Sequence, residues 1–328
     1  MKLRDIEFRP VFNAAGVRGF YGEGNRFQTK KEPKWSLSTF KTKSITYHPH
    51  RGEPFAFIEI PNRQSLVNAI KLDNPGLRAV LAENKLQRIV EPWVLSLATV
   101  SEDPDEREWE CIRARDLLWQ MRHDFLGKFA IEFNPFCPNL PPSRAYDFSK
   151  EVQKQIGHLK ACGAPVILKV SIETAVPLLV DILTSSDKPD GLTISNSVRW
   201  GAAFVDIPWH QYGGGYDENH EWSLRISPLR HRDGDNVGDG ALSGAREILE
   251  DAINKIVELR NDFGIDIPII GGGGIKTEAD VRMFMDAGAN AVEFWTIAHY
   301  EPKKVSKLIR EAYRYREVLR KRALKQAN

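Results

Sequence analysis

Apolar positions along the chain fall into short runs, separated by longer stretches with helical spacing. Runs rich in β-branched and aromatic residues predict strands over 8–13, part of 36–47, 93–99, 129–133, 166–171, 191–196, 267–270 and 291–296. Between most of them the pattern predicts helices over 108–125, 148–162, 173–184, 245–263 and 277–287, with a closing helix from Glu301. Alternating strands and helices imply parallel strands joined by right-handed crossovers, and eight such strands close into a (β/α)8, or TIM, barrel. A doubly wound open sheet is the alternative. Two stretches stand outside the alternation. Residues 12–33 are rich in glycine and polar side chains and read as an extension folded over one end. Residues 199–239 form a long aperiodic loop carrying Trp200, Trp209, His210, Tyr212 and Trp222, which reads as an ordered lid. The α/β chain 1–328 is thus expected to be a single barrel domain with an N-terminal extension and long βα loops.

Composition narrows the function classes. The 328 residues are 42% hydrophobic, enough for one large core. Lys+Arg total 46 against 44 for Asp+Glu, so no global field argues for a nucleic-acid or membrane partner. The basic closing stretch 303–325 mixes both signs and reads as a solvated helix face. Cys111, Cys137 and Cys162 are too few and scattered for a disulfide framework or a metal knuckle, so no metal is expected and a reducing cytoplasm fits best. No apolar run approaches the roughly 18 residues of a membrane span, and residues 1–9 lack a signal-peptide core.

In such a barrel the chemistry sits at the carboxyl ends of the strands, where this chain's unusual polar residues gather. Asn134-Pro135-Phe136-Cys137-Pro138-Asn139 opens a proline-rich loop after 129–133 and sets one thiol between two carboxamides. An exposed thiolate there is a candidate base or nucleophile, and a small buried side chain beside a turn is the bland alternative. The run Ile269-Ile270-Gly271-Gly272-Gly273-Gly274-Ile275, followed by Thr277 and a helix, reads as a phosphate cradle completed by Thr296, or as a tight turn. Lys169 interrupts the apolar strand 166–171, and an unpaired ammonium there would cost several kcal/mol. Its partner is either the negative charge of a reduced flavin or a buried Asp or Glu. Lys43 lies in a lysine-rich segment and reads as either a ligand contact or an exposed side chain.

These stretches resemble the class 1 dihydroorotate dehydrogenases, flavin enzymes built on a TIM barrel. The hexapeptide around Cys137, with Ala145-Tyr146-Asp147-Phe148 downstream, is similar to their active-site loop. Asn13-Ala14-Ala15-Gly16 resembles the segment that lies against the flavin. Residues 42–46 followed by Arg51-Gly52-Glu53-Pro54 match another family segment, and Lys169 matches the inward flavin lysine. Asn196-Ser197 and Gly240-Ala241-Leu242-Ser243-Gly244 match the substrate pair and a glycine motif. The likeness is nearly end to end, apart from residues 82–122.

The resemblance implies FMN as cofactor, bound by Ala14, Ala15, Gly16, Lys43, Lys169, Ser243, Gly244, Gly272, Gly273, Gly274, Trp295 and Thr296. It implies a substrate held by Lys43, Asn68, Lys71, Asn134, Asn139, Asn196 and Ser197. Cys137 would take a proton from C5 of dihydroorotate while a hydride passes from C6 to the flavin, giving orotate for pyrimidine biosynthesis in a possible homodimer. Four positions depart from the family pattern: Lys71 and Trp295 replace glycines, Phe136 replaces a serine and Ala241 replaces a second glycine. They leave two other readings open. One is an FMN oxidoreductase acting on a related dihydropyrimidine or cyclic amide, and the other is a redox-inactive barrel serving as a binding or scaffold protein. Fumarate, a quinone or a partner subunit are all open as electron acceptor.

Overall fold

The computed structural model describes residues 1–24, 35–136, 148–194, 197–202, 207–217, 219, 221–224, 226–230 and 238–326. Seven parallel strands form the inner wall: β1 (Val11–Asn13), β2 (Trp93–Ala98), β3 (Phe129–Asn134), β4 (Val166–Val170), β5 (Gly191–Ile194), β6 (Ile269–Gly272) and β7 (Ala291–Phe294). Their spatial order is β1-β7-β6-β5-β4-β3-β2, so the last strand returns to the first and every other pair of neighbours is consecutive in sequence, without the reversal of a doubly wound sheet.

The strand expected over part of 36–47 does not form as a continuous ladder. Residues 39–45 instead run between β1 and β2 as isolated parallel pairings, Thr39 with Phe12, Lys41 with Val94 and Ile45 with Leu97. Backbone hydrogen bonds from Asn13 to Thr39 (3.4 Å) and from Thr42 to Val94 (3.0 Å) join both edges of the sheet and close a TIM-barrel-like ring. Side chains take bonds that a regular ladder would give to the backbone. The Thr42 hydroxyl accepts from the Ser96 N–H (2.9 Å), and the Asn13 carboxamide both accepts from the Lys41 N–H (3.0 Å) and donates to its carbonyl (2.7 Å).

Helices cover the outside: α1 (Leu77–Ala82), α2 (Pro104–Gln120), α3 (Phe148–Lys160), α4 (Val176–Thr184), α5 (Arg246–Asn261), α6 (Glu278–Asp286), α7 (Thr296–Tyr300) and α8 (Pro302–Gln326). The sequence pattern misses α1 and the five-residue α7, both too short to show a period. It also starts α2 late. Asp103 caps this helix by accepting from the Asp105 N–H at 2.9 Å, with Pro104 at the first helical position.

Strand alternation builds two inner layers. Val94, Ala130, Ile167, Ile270 and Ala291 meet Phe12 and the N-terminal residues Met1, Leu3, Ile6 and Phe8 in one apolar cluster that plugs the barrel. Two positions further along the same strands stand Ser96, Glu132, Lys169, Gly272 and Glu293, so the next layer is polar. Beyond it lies a second, antiparallel sheet in the order Val198–Arg199, Ala241–Ser243, Ser65–Asn68, Phe57–Ile60. The described parts of 199–239 include a small hairpin pairing Gly215 with Ser223 and Tyr216 with Trp222, and Trp200 packs on Trp209 at 5.0 Å.

Candidate functional site

The glycine turn after β6 is built for close approach. Gly273 and Gly274 have φ of +94° and +68°, and Gly244, after strand Ala241–Ser243, has φ of +81°. A Cβ at Gly244 would come 2.5 Å from the Thr296 hydroxyl, and one at Gly274 would strike the Ala245 carbonyl. Only glycine is accommodated at these positions. Together with Ala14, Ser197, Ser243, Glu293, Trp295 and Thr296 they line an open cavity. Among the described residues, the backbone N–H groups of Gly273, Gly274 and Thr296 donate to no protein acceptor, so three donors remain for an anion. The helix start expected to assist is already occupied. Thr277 accepts from the Asp280 N–H (3.3 Å), and the Asp280 carboxylate accepts from the Thr277 and Lys276 N–H groups (2.8 and 2.9 Å), a closed capping box at α6.

One wall is Trp295, half-buried and stacked on His299 with ring centroids 5.6 Å apart. Its Nε1 lies 3.9 Å from the position a Cβ at Gly16 would take. The Trp295 side chain thus reaches toward the turn after β1 while also lining the cavity.

Beside this cavity lies a group of four buried charges. Lys41, Glu132 and Glu293 have side chains with no solvent exposure, and Lys169 has 6%. The Lys41 ammonium donates to Oε2 of both Glu132 and Glu293. Lys169 Nζ stands 3.8 Å from Oε1 of Glu132 and 3.9 Å from Oε1 of Glu293. Thr193 donates to Glu132 at 3.0 Å, and Ser96 at 3.4 Å. Burial alone would raise the Glu132 carboxyl, but Lys41 and then Lys169 outweigh it and hold Glu132 below the ordinary carboxylate range. The same two glutamates outweigh burial at Lys41 and hold its ammonium above the ordinary lysine value.

Lys169 thus has carboxylates beside it, the second partner that its strand position allowed. Sequence reasoning missed Lys41, Glu132 and Glu293. The signal that exposed Lys169, a charge inside an apolar strand, is also present in Phe129–Asn134 and Ala291–Phe294.

The remaining expected residues lie elsewhere or in part elsewhere. Ala14, Ser197, Ser243, Gly244, Gly273, Gly274, Trp295 and Thr296 share the cavity, with Gly16 and Ala15 in the turn beside it, whereas Gly272 is inside β6. Lys43 is half-buried, its ammonium donating to the Asp73 carbonyl at 2.6 Å and lying 5.4 Å from the Phe20 ring. Asn68 donates to the Ala241 carbonyl at 3.4 Å, which couples it to the strand that leads into Gly244. Lys71 stands in the following loop with φ of +50°. Asn134 ends β3 and is buried, while Phe136 packs edge-on against Phe148 at 4.8 Å. Cys137, Asn139 and Asn196 lie outside the described residues. Among the described residues no group of three His, Cys, Asp or Glu suits a metal ion, and no helix is long and apolar enough to cross a membrane.

A parallel ring with a glycine turn on its last two βα connections makes a TIM-barrel-like α/β fold. By sequence the chain is similar to dihydroorotate dehydrogenases: residues 223–314 match the family model described as dihydroorotate dehydrogenase. It is 27% identical over 313 residues to the Dihydroorotate dehydrogenase B (NAD(+)), catalytic subunit, of Listeria innocua, covering 92% of this chain and 88% of that one. It is 28% identical over 304 residues to the protein of the same name from Geobacillus kaustophilus, covering 89% and 82%. Its fold is similar to that of the dihydroorotate dehydrogenase of Eimeria tenella crystallised with ferulenol, with a TM-score of 0.66 at 16% identity over 94% of this chain and 82% of that one.

Proposed function

We propose that the protein is an FMN-dependent dehydrogenase of the class 1 type that oxidises dihydroorotate to orotate, with Cys137 as its base. The observation that carries this reading is the cradle of Gly244, Gly273, Gly274 and Thr296: the N–H groups of Gly273, Gly274 and Thr296 meet no acceptor among the described residues and the three glycines leave no room for a Cβ, which suits a monoester phosphate. FMN, when bound, would supply the acceptor for the hydride leaving C6 of the substrate.

The chain's own residues do the rest. The Cys137 thiolate removes the C5 proton, and the polar groups of Asn68, Asn134, Asn139, Asn196 and Ser197 hold the planar ring. Lys43, which the Asp73 carbonyl fixes, would contact both flavin and substrate. The polar layer sets Lys169 beside Glu293, which lines the cavity. Residues 199–239 act as the lid over a single domain, and the protein works as a cytosolic dimer. The catalytic-subunit names of the relatives favour a partner subunit as electron acceptor over fumarate or a quinone. A second reading, a related dihydropyrimidine or cyclic amide as substrate, is favoured by the left-handed Lys71 in place of the family glycine.

The purified protein is expected to be yellow and to release FMN on denaturation, and anaerobic dihydroorotate should bleach the flavin bands. Bleaching by dihydrouracil alone would select the second reading. A colourless protein that takes up no added FMN would sink both and leave a binding or scaffold role.

A further inference from the structure

Four charges are packed into one layer of the barrel, yet they are not equivalent. Lys41 takes the Oε2 atom of each glutamate in a direct hydrogen bond. Lys169 faces the Oε1 atom of each at 3.8 and 3.9 Å, beyond the roughly 2.7–2.9 Å of a charge-assisted hydrogen bond. Among the described residues Lys169 donates no hydrogen bond at all, although its side chain is only 6% exposed. Glu293, the group it faces, is also part of the cavity wall.

We propose that Lys41 is a positioning residue for Lys169: by satisfying Glu132 and Glu293 from behind, it leaves the Lys169 ammonium as an uncommitted cation for an anionic ligand ring in the cavity. The nature of that ring, an isoalloxazine, rests on the function proposed above. Two glutamates with Lys169 alone would carry one net negative charge. Lys169 would then be drawn onto both carboxylates, because buried carboxylates are satisfied by the nearest donor. With Lys41 present the layer is neutral, and the donors of Lys169 remain free to meet negative charge that develops in the ring on reduction. Asn13 fixes the arrangement by gripping the backbone N–H and carbonyl of Lys41. Among the described residues, the hydroxyls of Thr193, Ser96 and, through Ser96, Ser44 also face the layer, as does the Phe12 ring, 5.6 Å from the Lys41 ammonium.

The test compares midpoint potentials of bound FMN in the full-length protein. Lys41→Met leaves the layer one charge more negative and should lower the potential, while Glu293→Gln leaves it one charge more positive and should raise it. Each shift should be at least about tenfold in the ratio of reduced to oxidised flavin affinity, about 30 mV for a two-electron couple. Lys41→Met/Glu293→Gln should return close to wild type, and it serves where Lys41→Met alone does not fold. Shifts of the same sign, or none, would overturn the proposal, since a merely structural lysine gives no sign reversal.

A second arm needs no cofactor. Without added FMN, Lys41→Met should lower the thermal midpoint more than Lys169→Met. If Lys169→Met costs as much or more, Lys169 is itself the counter-ion and the proposal fails. Failure to bind FMN at all would defeat the function proposed above, and this stability comparison alone would then decide the role of Lys41.

Discussion

The Lys43 ammonium donates to the main-chain carbonyl of Asp73 at 2.6 Å, tying the segment that closes the barrel to the loop after Asn68. That loop is tightly wound. Lys71 and Leu72 have φ of +50° and +59° in succession, and a Cβ at Gly52 would strike the Ile70 carbonyl. A side chain on left-handed backbone costs roughly 1–2 kcal/mol, and two in a row persist only where the surroundings hold them, here through the Lys43 bond and the pairing of His50 with Asn74.

Lys71→Gly therefore has two separable effects. Relief of the left-handed strain, less the extra entropy of glycine in the unfolded chain, should stabilise the protein by about 0.5–1 kcal/mol. If the ammonium meets the substrate carboxylate, the KM for dihydroorotate should rise, most at low salt, for a lost charge-assisted bond of about 1.5–3 kcal/mol. Thermal melts and steady-state kinetics at two ionic strengths separate the two. An unchanged KM would mean that Lys71 points to solvent.

The cradle gives a graded pair of glycine variants. A Cβ at Gly244 meets the movable Thr296 side chain at 2.5 Å, whereas one at Gly274 meets the fixed Ala245 carbonyl. Gly244→Ala should displace a cradle residue, weaken FMN binding at least about tenfold, or 1.4 kcal/mol, and cost about 1–2 kcal/mol of stability through its left-handed backbone. Gly274→Ala, which adds a clash with fixed backbone to the same strain, should destabilise the fold by roughly a further 1–3 kcal/mol. Flavin fluorescence titration and thermal unfolding report the two quantities. Wild-type FMN affinity in Gly244→Ala would remove the phosphate from this turn.

The buried charges predict an acid limb. Glu132 is held below its ordinary 4.5, so its contribution to stability is complete above that value and is lost as pH falls through the lowered, folded value. Lys41 is held above its ordinary 10.5, so its contribution is complete below 10.5 and is lost as pH rises through the folded value. Between these limits the contributions of Glu132 and Lys41 should be insensitive to pH. Glu132→Gln should cost about 3–5 kcal/mol near neutrality and flatten the loss of stability below pH 4.5. Urea unfolding across pH 3–7 is the measurement, and an acid limb as steep as wild type would place the responsible carboxylate elsewhere.

Barrel strands were legible in the sequence because each is an apolar run buried on both faces. The segment around Lys41 was harder to read, since Thr39, Thr42 and Asn13 replace ladder bonds with side-chain bonds that leave no period in the sequence. The cradle was legible in its glycines, but the role of the following helix was not. Thr277 with Asp280 three residues on is a capping box visible in the sequence, and it removes donors that a phosphate would otherwise use. Lys41 and Glu293 were hidden for another reason. Each lies far along the chain from its partner, 252 residues apart, so only the closed ring brings them together.

Cys137 carries the largest share of the proposed chemistry, and its two fellow cysteines supply the contrast. Cys111 is fully buried on α2, where burial and then Glu110 push its thiol well above the ordinary range, and burial likewise raises Cys162. Both stay protonated at neutral pH, so neither can serve as base. If Cys137 is the base, the reductive half-reaction should speed up as pH rises through its apparent pKa. Cys137→Ala should slow that half-reaction by roughly 10²–10⁴-fold with unchanged FMN content. Cys137→Ser should keep a little activity with its pH dependence moved upward, because a hydroxyl is a much weaker acid than a thiol. Cys111→Ala and Cys162→Ala should affect stability alone. Stopped-flow reduction by dihydroorotate across pH 6–9 reads all four variants. A Cys137→Ala protein whose flavin is reduced at the wild-type rate would assign proton removal to another group, leaving the barrel and its phosphate cradle in place but the cysteine-base mechanism wrong.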